Sequence, residues 1–505
     1  MKTIVVIDGT VLTPAHVAAV AHGAKVVLSG EARQRMARSA AAYAALPSVL
    51  EQKRKFLVGE APASGDLVGA FVLGHCAGVG DPLPIPLVRA LMVCRANVLA
   101  LGYSGVRPQV LDTLCEWLNR GLTPVVPSQG SVGAAGDLAP LAHVARPLCG
   151  LGGAVVRADG SPAEAGELPA PIAPTPKEAL ALINGATLTS ALAAIAVHRA
   201  TRLLDAMEVA CAMTMEALKA DLRCLDVEAI DARGHPGGAL AAQRLGKLLA
   251  GSSLAVRGNP PDSFSLRTAP AVLGAARDAL VFVRDVVARE LNGACDNPLW
   301  IEGTGVVEAG NFHGAPVAMA LDFLRIAMTQ AATQSERRTY RLATGHLTGD
   351  LPSFLVEGTG LNSGFMLAQY TAASLASECK GLAHPACVDT IPTVQHHEDH
   401  VPMGPVAGRL ALRTLECVAD IVAIEALLAA QALDFRREGV SFPGGVRTRG
   451  PAPTLAPGVE QARAAVRGVA PRWLDDQVLH PSLRAVGALV RGGGLGGGAS
   501  PEELW

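Results

Sequence analysis

An excess of charge of either sign is missing: 43 Lys and Arg stand against 45 Asp and Glu over 505 residues, a formal net charge of −2. That balance leaves no electrostatic footprint for nucleic acid or an anionic membrane surface, and neither partner is expected. Paired cysteines are missing as well. The ten cysteines are scattered singly, without the spacing of a disulfide framework or a zinc site, and read as buried thiols in a reducing cytoplasm. A secretory leader is not expected, because Met1-Lys2 and the short run Thr3 to Ile7 give way to Asp8 before the roughly 7 to 15 apolar residues such a segment needs. Long uncharged spans are broken too: Ala179 to His198 carries Asn184-Gly185 and several hydroxyls, and Asp420 and Glu425 interrupt the apolar run near the end, so no membrane span is expected. No repeat of solenoid or propeller period is present.

What is present is a chain that is 50% hydrophobic and 17% charged, enough apolar residue for a large core. After a short strand at the start, alanine-rich amphipathic segments cover Ala15 to His22 and Glu31 to Ala45. Long helical periods follow over Leu192 to Asp221, Gly274 to Asn292, Val317 to Arg341 and Val406 to Phe435. In the second, Leu280, Val283, Val287 and Leu291 recur at three to four, as one buried helical face requires. These periods divide the chain into an N-terminal region (1–175), a central long-helix bundle (176–440) and a C-terminal helical region with a flexible tail (441–505).

The most distinctive stretch is Gly130-Ser131-Val132-Gly133-Ala134-Ala135-Gly136-Asp137-Leu138-Ala139-Pro140. Three glycines in seven positions permit close backbone contact, and Asp137 with Pro140 in the first turn can open a helix. The run resembles the loop of the aromatic amino-acid ammonia-lyases, and the resemblance extends over nearly the whole chain. It implies an all-α fold, a long-helix bundle with a small N-terminal region, assembled as a homotetramer whose pockets each draw on three chains.

In that family the loop carries Ala-Ser-Gly, which cyclises and loses two waters to make a methylidene-imidazolone electrophile (MIO). Here the triplet is Ala134-Ala135-Gly136. Ala135 offers only a methyl, so the resemblance implies that MIO does not form and that the chain carries no cofactor. The family's mobile-loop tyrosine, its catalytic base, aligns on Phe56 in Lys53 to Gly59, and a second tyrosine aligns on Phe264 in Phe264-Ser265-Leu266-Arg267. Three hydroxyls are thus absent together.

Other matches are retained. The resemblance assigns substrate binding to His75 in Gly74 to Gly80, to Asn184 in Leu182 to Gly185, to Arg267 as carboxylate clamp, and to Phe312 in Gly310-Asn311-Phe312-His313-Gly314. By residue chemistry alone, Asn184-Gly185 is an amide-stabilised turn, Arg267 a surface ion pair and Phe312 ordinary core. Gln395-His396-His397-Glu398-Asp399-His400 resembles the Gln-Glu-Asp-His region of histidine ammonia-lyases, and Glu398 is the candidate catalytic residue, with His397 as another candidate base; a charge cluster facing solvent is the alternative. The histidines there lack the His-Glu-x-x-His order of a metalloprotease, and no metal is expected. The expected ligand is a small aromatic carboxylate. Three readings stand open: an ammonia-lyase relative with MIO-dependent elimination absent or severely impaired, a non-catalytic binding or partner protein on the same scaffold, and an MIO-independent enzyme.

Overall fold

The computed structural model describes residues 4–46, 66–260 and 262–495. It is helical throughout, with five two-stranded ribbons as the only sheets among the described residues. The opening strand forms as expected: Ile4–Ile7 pairs in parallel with Lys25–Leu28, burying alternate residues.

The helices used below are α1 (Ile85–Ala100), α2 (Leu138–Leu148), α3 (Pro176–Ile183), α4 (Thr187–Ala217), α5 (Ala269–Leu291), α6 (Ala315–Ala343), α7 (Met366–Leu382) and α8 (Gly404–Arg437). The four long periods of the sequence are α4, α5, α6 and α8. Their length has a local cause. α4 contains neither proline nor glycine, while in α5, α6 and α8 proline appears only in the first turn, where the missing N–H is tolerated. At 34 residues, α8 runs about 50 Å. No described helix is long and apolar enough to cross a membrane.

The chain groups into two compact units. The first is drawn from Met1–His198, Val283–Asp322 and Pro385–Arg409, the second from Arg199–Phe282, Phe323–His384 and Leu410–Trp505. Within the second unit, Glu425 explains the charge that interrupts the last apolar run. It is fully buried on α8, paired with the equally buried Arg338 of α6 (Nη2 to Oε2, 2.9 Å), and accepts hydrogen bonds from Thr214 of α4 (2.8 Å) and Ser335 of α6. One carboxylate therefore joins three long helices. A second buried set, Arg277 with Glu208 and Asp205, ties α5 to α4. Of the ten cysteines, six are buried and four, Cys76, Cys149, Cys224 and Cys387, are partly exposed, so the expectation of buried thiols holds only for the larger group.

Removing one partner of a buried pair leaves an uncompensated charge, which costs about 3–5 kcal/mol. Arg338→Met is therefore expected to lower the urea and thermal midpoints strongly. Arg33→Met, which breaks an exposed pair with Asp112, is expected to stay within about 1 kcal/mol of wild type in the same unfolding curves.

Candidate functional site

The loop 130–137 has the tight form its glycines allow. Gly130, Gly133 and Gly136 all adopt positive φ, at 142°, 76° and 81°. Gly136 lies against the turn that ends α3, where Gly185 itself has φ of 125°, and a Cβ on Gly136 would sit 2.1 Å from the Gly185 nitrogen. No side chain fits at Gly136. The next N–H, of Asp137, donates to the Gly185 carbonyl at 2.8 Å and completes the contact.

Asp137 does precede α2, but its side chain does not cap that helix. It turns instead to the start of α4, where the Thr189 N–H donates to it at 2.8 Å and the Thr189 hydroxyl at 3.2 Å, and the Ser131 hydroxyl reaches it from inside the loop at 2.8 Å. The first turn of any helix has unpaired N–H groups and a partial positive charge, and a carboxylate satisfies both. Burial pushes the Asp137 carboxyl up to about 6, against the opposing pull of the hydrogen bonds from Thr189 and Ser131. The acid is fully buried.

The other expected residues of the first unit gather around this loop by separate links. Asn184 is the last residue of α3's turn; its Nδ2 donates to the Asn297 carbonyl at 2.8 Å, while its buried Oδ1 has no hydrogen-bond partner among the described residues. The Gly310–Gly314 run is tied in by the Gly314 N–H, which donates to the Gly133 carbonyl at 3.1 Å, and leaves Phe312 half-buried. Its neighbour His313 stacks on His400 at 5.5 Å between ring centres. Glu398 is half-buried, held by the Thr393 hydroxyl, which donates to Oε2 at 2.6 Å, and its chain continues to Val401 and Met403, which pack against Ala134. His75 ends the helix Leu67–Gly74 with Nδ1 2.7 Å from the Phe71 carbonyl oxygen. Three residues on, Gly78 lies against Gly130 and donates its N–H to His143 of α2 at 3.3 Å. Ala135, at the centre of the triplet, is half-buried.

Beneath the Asn184-Gly185 turn lies a buried charged layer that motif reading missed. Arg95 of α1 donates to the carbonyls of Ala181 and Cys295 at 2.8 and 3.0 Å, and Asp296 is paired with Lys177 at 3.0 Å. Burial lowers the Arg95 guanidinium from its ordinary value, with Asp296 opposing. Arg95 lies in a helical stretch with no neighbouring acid, and the acid beside Lys177, Glu178, pairs with Arg107 instead, so no local pattern marked either residue. Ser131 and Asp137 were within the quoted motif, but Thr189 is 52 residues away.

Phe264 and Arg267 belong to the second unit. They bracket the one-turn helix Phe264–Arg267, where Phe264 is 74% exposed and Arg267 is exposed with no ion pair among the described residues. Phe56 lies outside the described residues. Among the described residues no group of three or more His, Cys, Asp or Glu is assembled to hold a metal ion.

The raised Asp137 carboxyl gives a pH test. Its folded value lies above the ordinary 3.9 of a free aspartate, so its contribution to stability is fully present below about 3.9 and is lost as pH rises through about 6. A shift of this size corresponds to about 3 kcal/mol. Asp137→Asn keeps an acceptor for Thr189 but cannot ionise. Thermal midpoints of wild type relative to Asp137→Asn are therefore expected to fall between pH 4 and 7; a constant difference across that range would refute the buried ionisation.

Comparison with known proteins agrees with this architecture. Residues 60–468 match the family model described as aromatic amino acid lyase. The histidine ammonia-lyase of Anaeromyxobacter sp. (strain K) is 44% identical, over 98% of this chain and 100% of that protein. Among solved structures, histidine ammonia-lyase from Trypanosoma cruzi superposes with a TM-score of 0.85 at 35% identity, covering 98% of this chain and 94% of that one. Tyrosine aminomutase from Streptomyces globisporus gives a TM-score of 0.85 at 33% identity, covering 98% of each chain. With the family model matched over residues 60–468 and a relative 44% identical over nearly the whole chain, the chain belongs to the aromatic amino acid lyase family.

Proposed function

We propose that this family member binds a small aromatic amino-acid carboxylate beside the loop 130–137, and that MIO-dependent ammonia elimination is absent or severely impaired. The observation that carries this reading is Ala135 at the centre of an otherwise intact loop. The exocyclic carbon of MIO arises when a hydroxyl leaves the middle residue's Cβ, and an alanine methyl has nothing to lose. The residues present do not fit the prosthetic group, and no step through it is derived. Phe264, and Phe56 by alignment, lack the hydroxyl that would move a proton.

Binding is supported by what remains. The family resemblance assigns the carboxylate to Arg267, whose exposed guanidinium, without an ion pair among the described residues, can hold it through two parallel hydrogen bonds. The free atom of Asn184 is an acceptor, Oδ1, because its amide nitrogen is committed to Asn297; it suits a ligand N–H better than a carboxylate. His75 and Glu398 favour an imidazole or other polar ring, in keeping with the histidine ammonia-lyases among the relatives. Phe323 and Ile326 of α6 and Met319 one turn earlier are all exposed, with Phe282 against Phe323 at 5.7 Å. An apolar stripe of this kind supports the homotetramer that the family resemblance implies.

The MIO-independent reading rests on Glu398, the half-buried acid nearest in sequence to the loop's packing partners Val401 and Met403. Thr393 occupies Oε2, which leaves Oε1 to accept a proton. Incubation of concentrated protein with histidine, tyrosine and phenylalanine, followed by mass-spectrometric detection, is expected to yield no arylacrylate. Calorimetric titration is expected to show binding of one of them, weakened about 10- to 100-fold by Arg267→Ala, the range for a charge-assisted bond. Arylacrylate that disappears in Glu398→Gln would replace this reading with the MIO-independent enzyme, and absence of any binding would leave a partner protein on the same scaffold.

A further inference from the structure

Arg95 is buried on α1, and its hydrogen bonds go to main chain rather than to the buried acid beside it. Asp296 has Lys177 at 3.0 Å; Arg95 Nη2 stands 3.5 Å from Oδ1 as an ion pair, and that oxygen has no hydrogen-bond partner among the described residues. The guanidinium donors turn elsewhere. Nε and Nη2 both donate to the Ala181 carbonyl, Nε at 2.8 Å, and Nη1 donates to the Cys295 carbonyl at 3.0 Å. Ala181 lies in the last turn of α3, where carbonyls lack intrahelical partners and the helix end carries a partial negative charge, so a buried cation suits it. One rigid, planar group thus bridges the helix end that carries Asn184 and the segment 295–297 beside it.

The bridge bears on Asn184 through further contacts. The Ala186 N–H donates to Cys295 Sγ at 3.1 Å, and Asn184 Nδ2 donates at 2.8 Å to the carbonyl of Asn297, whose own side chain accepts the Ala309 N–H at 2.7 Å. Gly185 packs against the guanidinium: a Cβ there would lie 2.6 Å from Arg95 Nη1 and 2.3 Å from the Cys295 oxygen. A carbonyl accepts and cannot donate, so the Asn297 oxygen pairs only with the nitrogen end of the Asn184 amide. Holding 295–297 against α3 therefore decides which end of that amide is left over. Oδ1 is left, buried and without a partner among the described residues.

We propose that Arg95 is a positioning residue for the ligand's amino group: by tying Cys295 to Ala181 it fixes the Asn184 amide with Oδ1 as its free end, the acceptor for an ammonium N–H, and so makes the site prefer an amino acid to its deaminated analogue. The role rests on the proposed contact between Asn184 and the ligand. Without the bridge the two segments can slide past one another and the amide can turn, which removes the acceptor but leaves recognition of ring and carboxylate in place.

The test is calorimetric titration of the full-length protein with histidine and with imidazolepropionate, which has the same ring and carboxylate without the amino group. The wild type is expected to bind histidine about 10- to 100-fold more tightly, the range for a hydrogen bond to a charged group. Asn184→Ala and Arg95→Gln are each expected to bring the two affinities together by weakening histidine alone, and the double variant to lose no more than either, since both act through one contact. Arg95→Lys keeps a cation beside Asp296 but lacks the planar fork that spans two carbonyls; it is expected to lose the same preference, and it carries the test where Arg95→Gln does not fold. A merely structural role would weaken both ligands equally in the Arg95 variants. That result, an unchanged preference, or equal affinities in the wild type would overturn the role of Arg95 and leave the site standing. A wild type that binds neither ligand would overturn the reading of the site as one for an imidazole amino acid, and this role with it.

Discussion

The first unit depends on a carboxylate that has been taken out of water. Asp137 is fully buried, and an isolated charge there would be prohibitively costly. Three donors offset that cost: the Ser131 hydroxyl within the loop, and the N–H and hydroxyl of Thr189 at the start of α4. Because these partners come from the loop and from α4, the acid fixes the loop against the first turn of that helix. The Gly136–Gly185 contact is possible only because neither residue has a Cβ, and it places the Asn184 turn against the triplet. Gly314, donating to Gly133, does the same for Phe312.

Much of the architecture was legible from spacing alone. The long helices follow from apolar residues at three and four and from an absence of interior proline, features that act within a few residues of each other. The motifs around Asn184, Phe312 and Glu398 were also visible, since each is a short contiguous run. Partners distant in sequence were not. Nothing near Asp137 announces Thr189, and nothing near Glu425 announces Arg338, 87 residues earlier; in the sequence Glu425 was only a reason to doubt a membrane span. The direction of a side chain was equally hidden. Asp137 was expected to open the helix that follows it, yet it serves a different helix, because a carboxylate goes where unpaired N–H groups converge.

The residues around the triplet separate into two kinds. Gly136, Gly185, Asp137, Thr189 and Gly314 hold backbone against backbone, and all are present. The positions at which the family resemblance places reactive hydroxyls, 135, 264 and 56, carry only methyl or phenyl groups. Backbone-holding residues are required for folding whatever the chemistry, whereas a reactive hydroxyl is required only for turnover. The proposed function accounts for a chain that has the first set without the second, because ligand binding on this scaffold needs only the first.

The most direct measurement is the intact mass of the purified chain and of Ala135→Ser. The account predicts that the wild-type mass equals that of the unmodified sequence, while Ala135→Ser is lighter than its own sequence by two waters. A wild-type chain already lacking two waters at residues 134–136 would contradict it.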